Sequence, residues 1–135
     1  MRTSSIVLCT LLICYCLYAQ AQRGIVHMEA PTYPNVAQWA QIQGKATLSV
    51  MIGTDGKVLS VSVKAIQGKP LFGDEAAKNI KTWIFTPAPG ETTQEVVYDY
   101  RLIEKAIFPC SYVVLESPQH VVIQSTVPYP DTKSR

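Results

Sequence analysis

The chain has 135 residues, of which 47% are hydrophobic and 16% charged, with 12 Lys and Arg against 10 Asp and Glu. That length supports one domain with a packed core, and the apolar fraction excludes an intrinsically disordered chain. A formal charge of +2 with no run of consecutive basic residues leaves no electrostatic footprint for DNA or RNA, so no nucleic-acid partner is expected.

In chain order, Arg2, the apolar run Ile6 to Tyr18 and the small-x-small triplet Ala19-Gln20-Ala21 read as a signal peptide over residues 1–21, cleaved after Ala21. The run is shorter than the roughly 20 residues that cross a bilayer, which favours export over anchoring. If it is retained, the chain is an inner-membrane-anchored protein instead. Cys9, Cys14 and Cys16 fall inside the run, and no small residue followed by Cys marks a lipid-attachment site. Cleavage leaves Cys110 alone, so stability must come from packing and not from a disulfide. It also removes Arg2, leaving 11 basic against 10 acidic residues.

Residues 22–30 form a short lead. The domain, residues 31–105, opens on Pro31-Thr32-Tyr33-Pro34, where the two prolines hold Thr32 and Tyr33 extended and outside any helix. Tyr33 is therefore expected to present its ring. Asn35 to Gln43 then has helical spacing, with Val36, Trp39, Ala40 and Ile42 as its apolar members, Asn35 as cap and Gly44 as stop.

"KATLSVMIGTDGKVLSVSVKA" is a hairpin pattern around Asp55-Gly56, a dipeptide suited to a two-residue type I′ turn. Pairing Thr54 with Lys57 sets Ile52 against Leu59, Val50 against Val61, Leu48 against Val63 and Ala46 against Ala65, one apolar face. Thr47, Ser49, Ser60, Ser62 and Lys64 take the wet face. Phe72, Ala76, Ile80, Trp83 and Ile84 recur at helical spacing and predict an amphipathic helix over the hairpin, ended by Pro87 and Pro89. Asp74 and Glu75 in its first turn and Lys78 and Lys81 later suit the helix dipole.

"TQEVVYDYRLIEK" alternates again, predicting a third strand with Val96, Tyr98, Tyr100 and Leu102 on one parity. Beyond it, "SYVVLE" and "HVVIQ" around Ser117-Pro118-Gln119 predict an extra β-hairpin within residues 106–126, and residues 127–135 read as a flexible tail.

Chemistry is thinly represented. Asp74 and Glu75 are sequential and point apart on a helix, so electrostatics accounts for them better than acid–base work. Cys110 and His120 are a nucleophile and a base that a hairpin could bring together, yet no third orienting group stands nearby, and a lone Cys is usually buried and inert. His27, His120 and Cys110 lack metal-ligand spacing. The expectation is a non-enzymatic protein with no catalytic residues, cofactor or metal.

The order "PTYP", "IQGKATLSVMIGTDGKVLSVSV" and "LFGDEAAKNIKTWIFTP" resembles the C-terminal domain of the TonB energy transducer, with Tyr33-Pro34, Ala37, Gly44, Asp55-Gly56, Gly68, Leu71, Ala76-Ala77, Trp83, Phe85 and Pro87 as landmarks from about Pro31 to Leu102. The resemblance implies an α+β fold, a small antiparallel β-sheet of hairpin, helix and strand packed on two helices. It also implies a periplasmic module that holds an extended segment of a TonB-dependent outer-membrane transporter as an added strand. Carried over, Gln94, Val96, Tyr98, Tyr100 and Leu102 belong to the docking edge, and Pro31, Thr32, Tyr33 and Pro34 lie beside the partner. Two features depart from the family pattern. The uncleaved anchor and long proline-rich spacer of a full transducer are not visible, Gln22 to Pro31 reaching at most roughly 35 Å, too short to serve as that spacer, and Ala30 stands where family members carry a glutamine.

The extra hairpin supplies a further expectation: one of its strands covers the edge beside Gln94 to Leu102. A second reading of the chain is a structural envelope protein that uses this same edge to form a homodimer.

Overall fold

The computed structural model describes residues 22–104 and 110–128. The signal-peptide reading of residues 1–21 and most of the expected tail, residues 129–135, lie outside the described residues. The elements are β1 (Ile25–His27), α1 (Asn35–Trp39), β2 (Gly44–Ile52), β3 (Val58–Gln67), α2 (Leu71–Ile80), β4 (Ile84–Phe85), β5 (Thr92–Ile103), β6 (Ser111–Ser117) and β7 (His120–Thr126). The fold is α+β. Five strands form one sheet in the order β3-β2-β5-β7-β6, and β1 and β4 pair in a two-stranded sheet of their own.

Alternation drives the main sheet. Ala46, Leu48, Val50 and Ile52 on β2 and Val96, Tyr98 and Tyr100 on β5 are all buried on one face, beneath Phe72, Ala76 and Ile80 of α2. The central hairpin register is as read from the sequence, with Leu48 opposite Val63 and Val50 opposite Val61. Its ends differ: Ile52 faces Val58, not Leu59, and Ala46 faces Ile66, not Ala65. The turn explains the first shift. Asp55 keeps negative φ, only Gly56 is left-handed (φ 86°), and a four-residue turn closes through Gly56 N–H to the Gly53 carbonyl, 3.0 Å. A type I′ turn needs positive φ at both central residues, so the loop is longer than expected and Leu59 is turned out, 53% exposed. Gly56 also admits no side chain, because a Cβ there would collide with the Phe85 carbonyl.

Both helices are shorter than their periodicity suggests. α2 stops at Ile80; the Thr82 hydroxyl donates to the Asn79 carbonyl (2.7 Å), and Trp83 and Ile84 lie beyond the helix. Trp83 still reaches the core, and Ile84 is taken by β4. In α1, Pro34 and not Asn35 occupies the cap position, with no side-chain cap bond, and the buried residue is Ala37. Val36 and Trp39, read as core members, are 74% and 68% exposed. Gly44 does not stop this helix, since the chain already turns at Gln41 (φ 55°). Gly44 is needed because a Cβ would lie 2.6 Å from the Phe72 ring.

The sheet is not wholly antiparallel. β7 pairs with β5 in parallel from Val97–His120 to Ile103–Thr126, and β6 then pairs antiparallel outside β7. Val121 and Ile123 of β7 are fully buried and extend the core under Tyr98 and Tyr100.

Candidate functional site

The residues read as partner-contacting fall into two groups that meet inside the protein. Tyr33 is held extended by its prolines, but its ring points inward and is 5% exposed. It packs edge-on to Phe72 and Tyr100, with ring centroids 6.2 and 5.6 Å apart, and its hydroxyl donates to the Ile42 carbonyl at 2.6 Å. Burial pushes its phenol up to about 12, and also raises those of Tyr98 and Tyr100. The expectation that Tyr33 presents its ring is corrected: an extended Pro-x-x-Pro frame fixes the backbone, while the Phe72–Tyr100 cleft takes the ring. Pro31 is buried, Pro34 partly buried, and Thr32 is the exposed member of the four.

On β5 the expected edge residues have the core parity. Val96, Tyr98 and Tyr100 are buried, and Leu102 is partly so. Gln94 is buried as well: its carboxamide oxygen accepts from the Arg23 N–H at 2.9 Å. Arg23, which sequence reasoning passed over, clamps this end of the sheet through the Gly53 and Gly90 carbonyls and the Thr92 hydroxyl.

Backbone direction assigns the edge differently. Val97 N–H donates to the Gln119 carbonyl (2.7 Å), and the Ile103 carbonyl accepts from Val127 N–H (3.2 Å). Backbone groups alternate along a strand, so Val97, Asp99, Arg101 and Ile103 face β7, while the even-numbered residues face β2. The β5 edge is thus occupied over Val97–Ile103. The incumbent is β7, as the extra-hairpin expectation anticipated.

Around that junction the outer face is charged. The Asp99 carboxylate, 3% exposed, lies 2.6 Å from Arg101 Nη2, 3.7 Å from Lys45 Nζ and 3.6 Å from His120 Nε2. His120 Nδ1 is 2.9 Å from Glu116, so His120 stands between the core strand and the hairpin. The Asp99 hydrogen bond and charge raise the Arg101 pKa. This is a clamp and not a reactive pair. Cys110 is exposed, contrary to the usual buried thiol, and it sits opposite Thr126 while His120 sits opposite Ser117. The two ends of the hairpin are roughly 20 Å apart at about 3.3 Å per residue, too far for nucleophile and base.

The outside of the Pro31–Pro34 segment is grooved. A cleft of about 350 Å³ opens between Thr32, Gln38, Ser111 and Thr126, and one of about 440 Å³ between Pro34, Val36, Leu71 and Glu75. Gln38 joins α1 to β7 through the Ser125 hydroxyl (2.7 Å) and the Thr126 carbonyl (2.9 Å). Exposed Val36 lines the second of these clefts, and Trp39, on the same short helix, is exposed as a second apolar side chain. Their signal in the sequence is Ala37: the small residue is the one that fits against the sheet, which turns its bulkier neighbours outward.

The model of the Gram-negative bacterial TonB protein C-terminal family matches residues 29–102, more than half of the chain. The chain belongs to the TonB C-terminal family. It is 31% identical over 68 residues to the protein TonB2 of Pseudomonas aeruginosa, a match covering 50% of this chain and 25% of that protein. The chain thus spans about a quarter of that curated relative. The solution NMR structure of the Pseudomonas aeruginosa TonB C-terminal domain superposes with a TM-score of 0.53 at 22% identity, over 66% of this chain and 94% of that one. The Helicobacter pylori TonB C-terminal domain gives a TM-score of 0.47 at 23% identity, over 53% and 79%. The TonB C-terminal domain is a non-enzymatic protein-interaction domain of the bacterial envelope. The family match ends at Leu102, so β6 and β7 lie outside it.

Proposed function

We propose that this domain docks an extended segment of an outer-membrane transporter in the periplasm by strand addition beside β5. The observation that carries the reading is the parallel pairing of β7 with Val97–Ile103 in a chain of the TonB C-terminal family. β7 is itself an extended strand in this place, with apolar residues at i and i+2, Val121 and Ile123, which supports the reading. A transporter segment takes this place when β7 yields it.

The energetics set what the segment must offer. Removing Val121 and Ile123 from the core forfeits about 1.5–3 kcal/mol each, before any ladder hydrogen bonds. An incoming strand with two apolar side chains at the same alternation restores that burial, and backbone pairing restores the ladder. Thr32 and Val36 line the clefts on the outside of the Pro31–Pro34 segment, and exposed Trp39 of α1 adds apolar surface; together they supply selectivity for side chains continuing past β5. Trp is well suited to this role because it offers a large apolar contact area.

Calorimetric titration with a synthetic peptide from the periplasmic N-terminal segment of such a transporter tests the proposal. Saturable binding is expected, and it should be abolished when the alternate residues that face β5 are replaced by proline, which has no N–H to donate. Equal binding of both peptides, or of neither, would contradict strand addition.

A further inference from the structure

The sheet has two outer strands, and they are guarded unequally. β3 carries Lys64, ion-paired to Glu95 at 3.1 Å, and its pairing with β2 is broken by two register shifts, devices that discourage edge pairing. β6 has the sequence Ser-Tyr-Val-Val-Leu-Glu-Ser, with no Lys, Arg or Pro; its pairing with β7 shifts register once, between Leu115 and Ser117, and Tyr112, Val114 and Leu115 are 46%, 41% and 42% exposed.

The direction of its backbone groups is fixed by the neighbouring strand. Thr126 N–H donates to the Cys110 carbonyl (3.0 Å), so Cys110, Tyr112 and Val114 turn their backbone groups toward β7. By alternation Ser111, Val113 and Leu115 turn theirs outward, where no strand lies among the described residues.

The segment is also self-complementary. When two copies meet antiparallel about Val114, Val113 faces Leu115 on the helix-covered side. On the other side Val114 faces Val114, and Tyr112 faces Glu116, which sits at the register shift and whose carboxylate also pairs with His120, so the Val114 pair and the Val113–Leu115 pairs define the contact. The backbone agrees with the side chains: Val113 and Leu115 point their groups outward and form the hydrogen-bonded pairs, while Val114, whose groups point inward, falls on the two-fold axis as a non-hydrogen-bonded pair. A one-residue slip would set Val114, whose groups face β7, in a hydrogen-bonding position.

From this agreement of outward amides, faces and register, we infer that the outer edge of β6 pairs with the same edge of a second copy, joining two five-stranded sheets into one. This edge is distinct from that of β5, and the inference does not depend on transporter binding. Two-fold pairing closes the assembly, because β6 is used up and β3 is guarded.

A cysteine scan in the full exported chain with Cys110→Ser reads the register directly. In Val114→Cys the paired Cα atoms lie about 4.5 Å apart, within disulfide reach, whereas Tyr112→Cys places them about 14 Å apart. Val114→Cys is expected to form a disulfide-linked dimer at least about tenfold faster than Tyr112→Cys. Sedimentation across a concentration series should show a dimer that dissociates on dilution. Val113→Pro should abolish it, since that proline removes an outward N–H and leaves the β6–β7 ladder intact. A monomer at every concentration, or equal cross-linking rates at the two positions, would overturn the inference. So would a dimer that survives Val113→Pro, and if that variant fails to fold the cross-linking rates decide.

Discussion

Trp83→Ala is expected to lower the stability of the domain by about 3–5 kcal/mol, the range for emptying a buried aromatic site. The indole is 1% exposed, with ring centroids 6.0 Å from Phe85 and 5.8 Å from Tyr98. Its Nε1–H donates to Asn79 Oδ1 at 2.8 Å, and the Tyr98 hydroxyl donates to the same oxygen at 2.7 Å. The Asn79 amide in turn donates to the Glu29 carbonyl at 2.9 Å, tying the lead segment to α2. Removing the indole therefore leaves a cavity between sheet and helix and loosens a polar knot that holds three segments. Urea unfolding should show a lower midpoint at unchanged slope. A loss below about 1 kcal/mol would mean that Trp83 sits at a site free to collapse.

Ile123→Ala is expected to cost about 2–5 kcal/mol, although Ile123 lies outside the span that defines the family. Ile123 is fully buried opposite Tyr100 in the parallel ladder, and Val121 lies opposite Tyr98. β7 is thus a strand of the core. Val114→Ala, on the exposed strand beside it, should change stability by no more than about 0.5 kcal/mol. The same urea titration compares the two. Equal, small effects would mean that the hairpin is an appendage resting on a domain already complete at β5. A large effect at Ile123 sets the threshold that a competing strand must exceed, and so links the packing of β7 to the selectivity of docking.

The elements were legible in the sequence wherever one apolar parity met a buried face. The alternation of Ala46, Leu48, Val50 and Ile52 and that of Val96, Tyr98 and Tyr100 located β2 and β5 and their inward sides. Local geometry was less legible, because a single dihedral decides it: Asp55 keeping negative φ changes the turn and moves Leu59 out of the core. Helical spacing carried Trp83 into α2 because a residue just past a helix end can bury itself on the same side as the helix stripe. The site was the least legible part. Burial of Tyr33 depends on Phe72 and Tyr100, which are distant in sequence. The choice of Val97, Asp99, Arg101 and Ile103 as edge residues depends on which neighbour β5 has on each side. Inserting β7 between β5 and β6 is a long-range choice that no local pattern records.

Backbone amide exchange of the domain, with and without the transporter peptide, tests strand addition beside β5 most directly. Val97, Asp99, Arg101 and Ile103 are expected to remain protected in the complex, because the peptide replaces β7 as their partner. The amides of Val121 and Ile123, which face β5 in the free protein, should lose protection as β7 is released. Protection of Val121 and Ile123 that is unchanged at saturating peptide would contradict it, and would place the partner elsewhere on the domain.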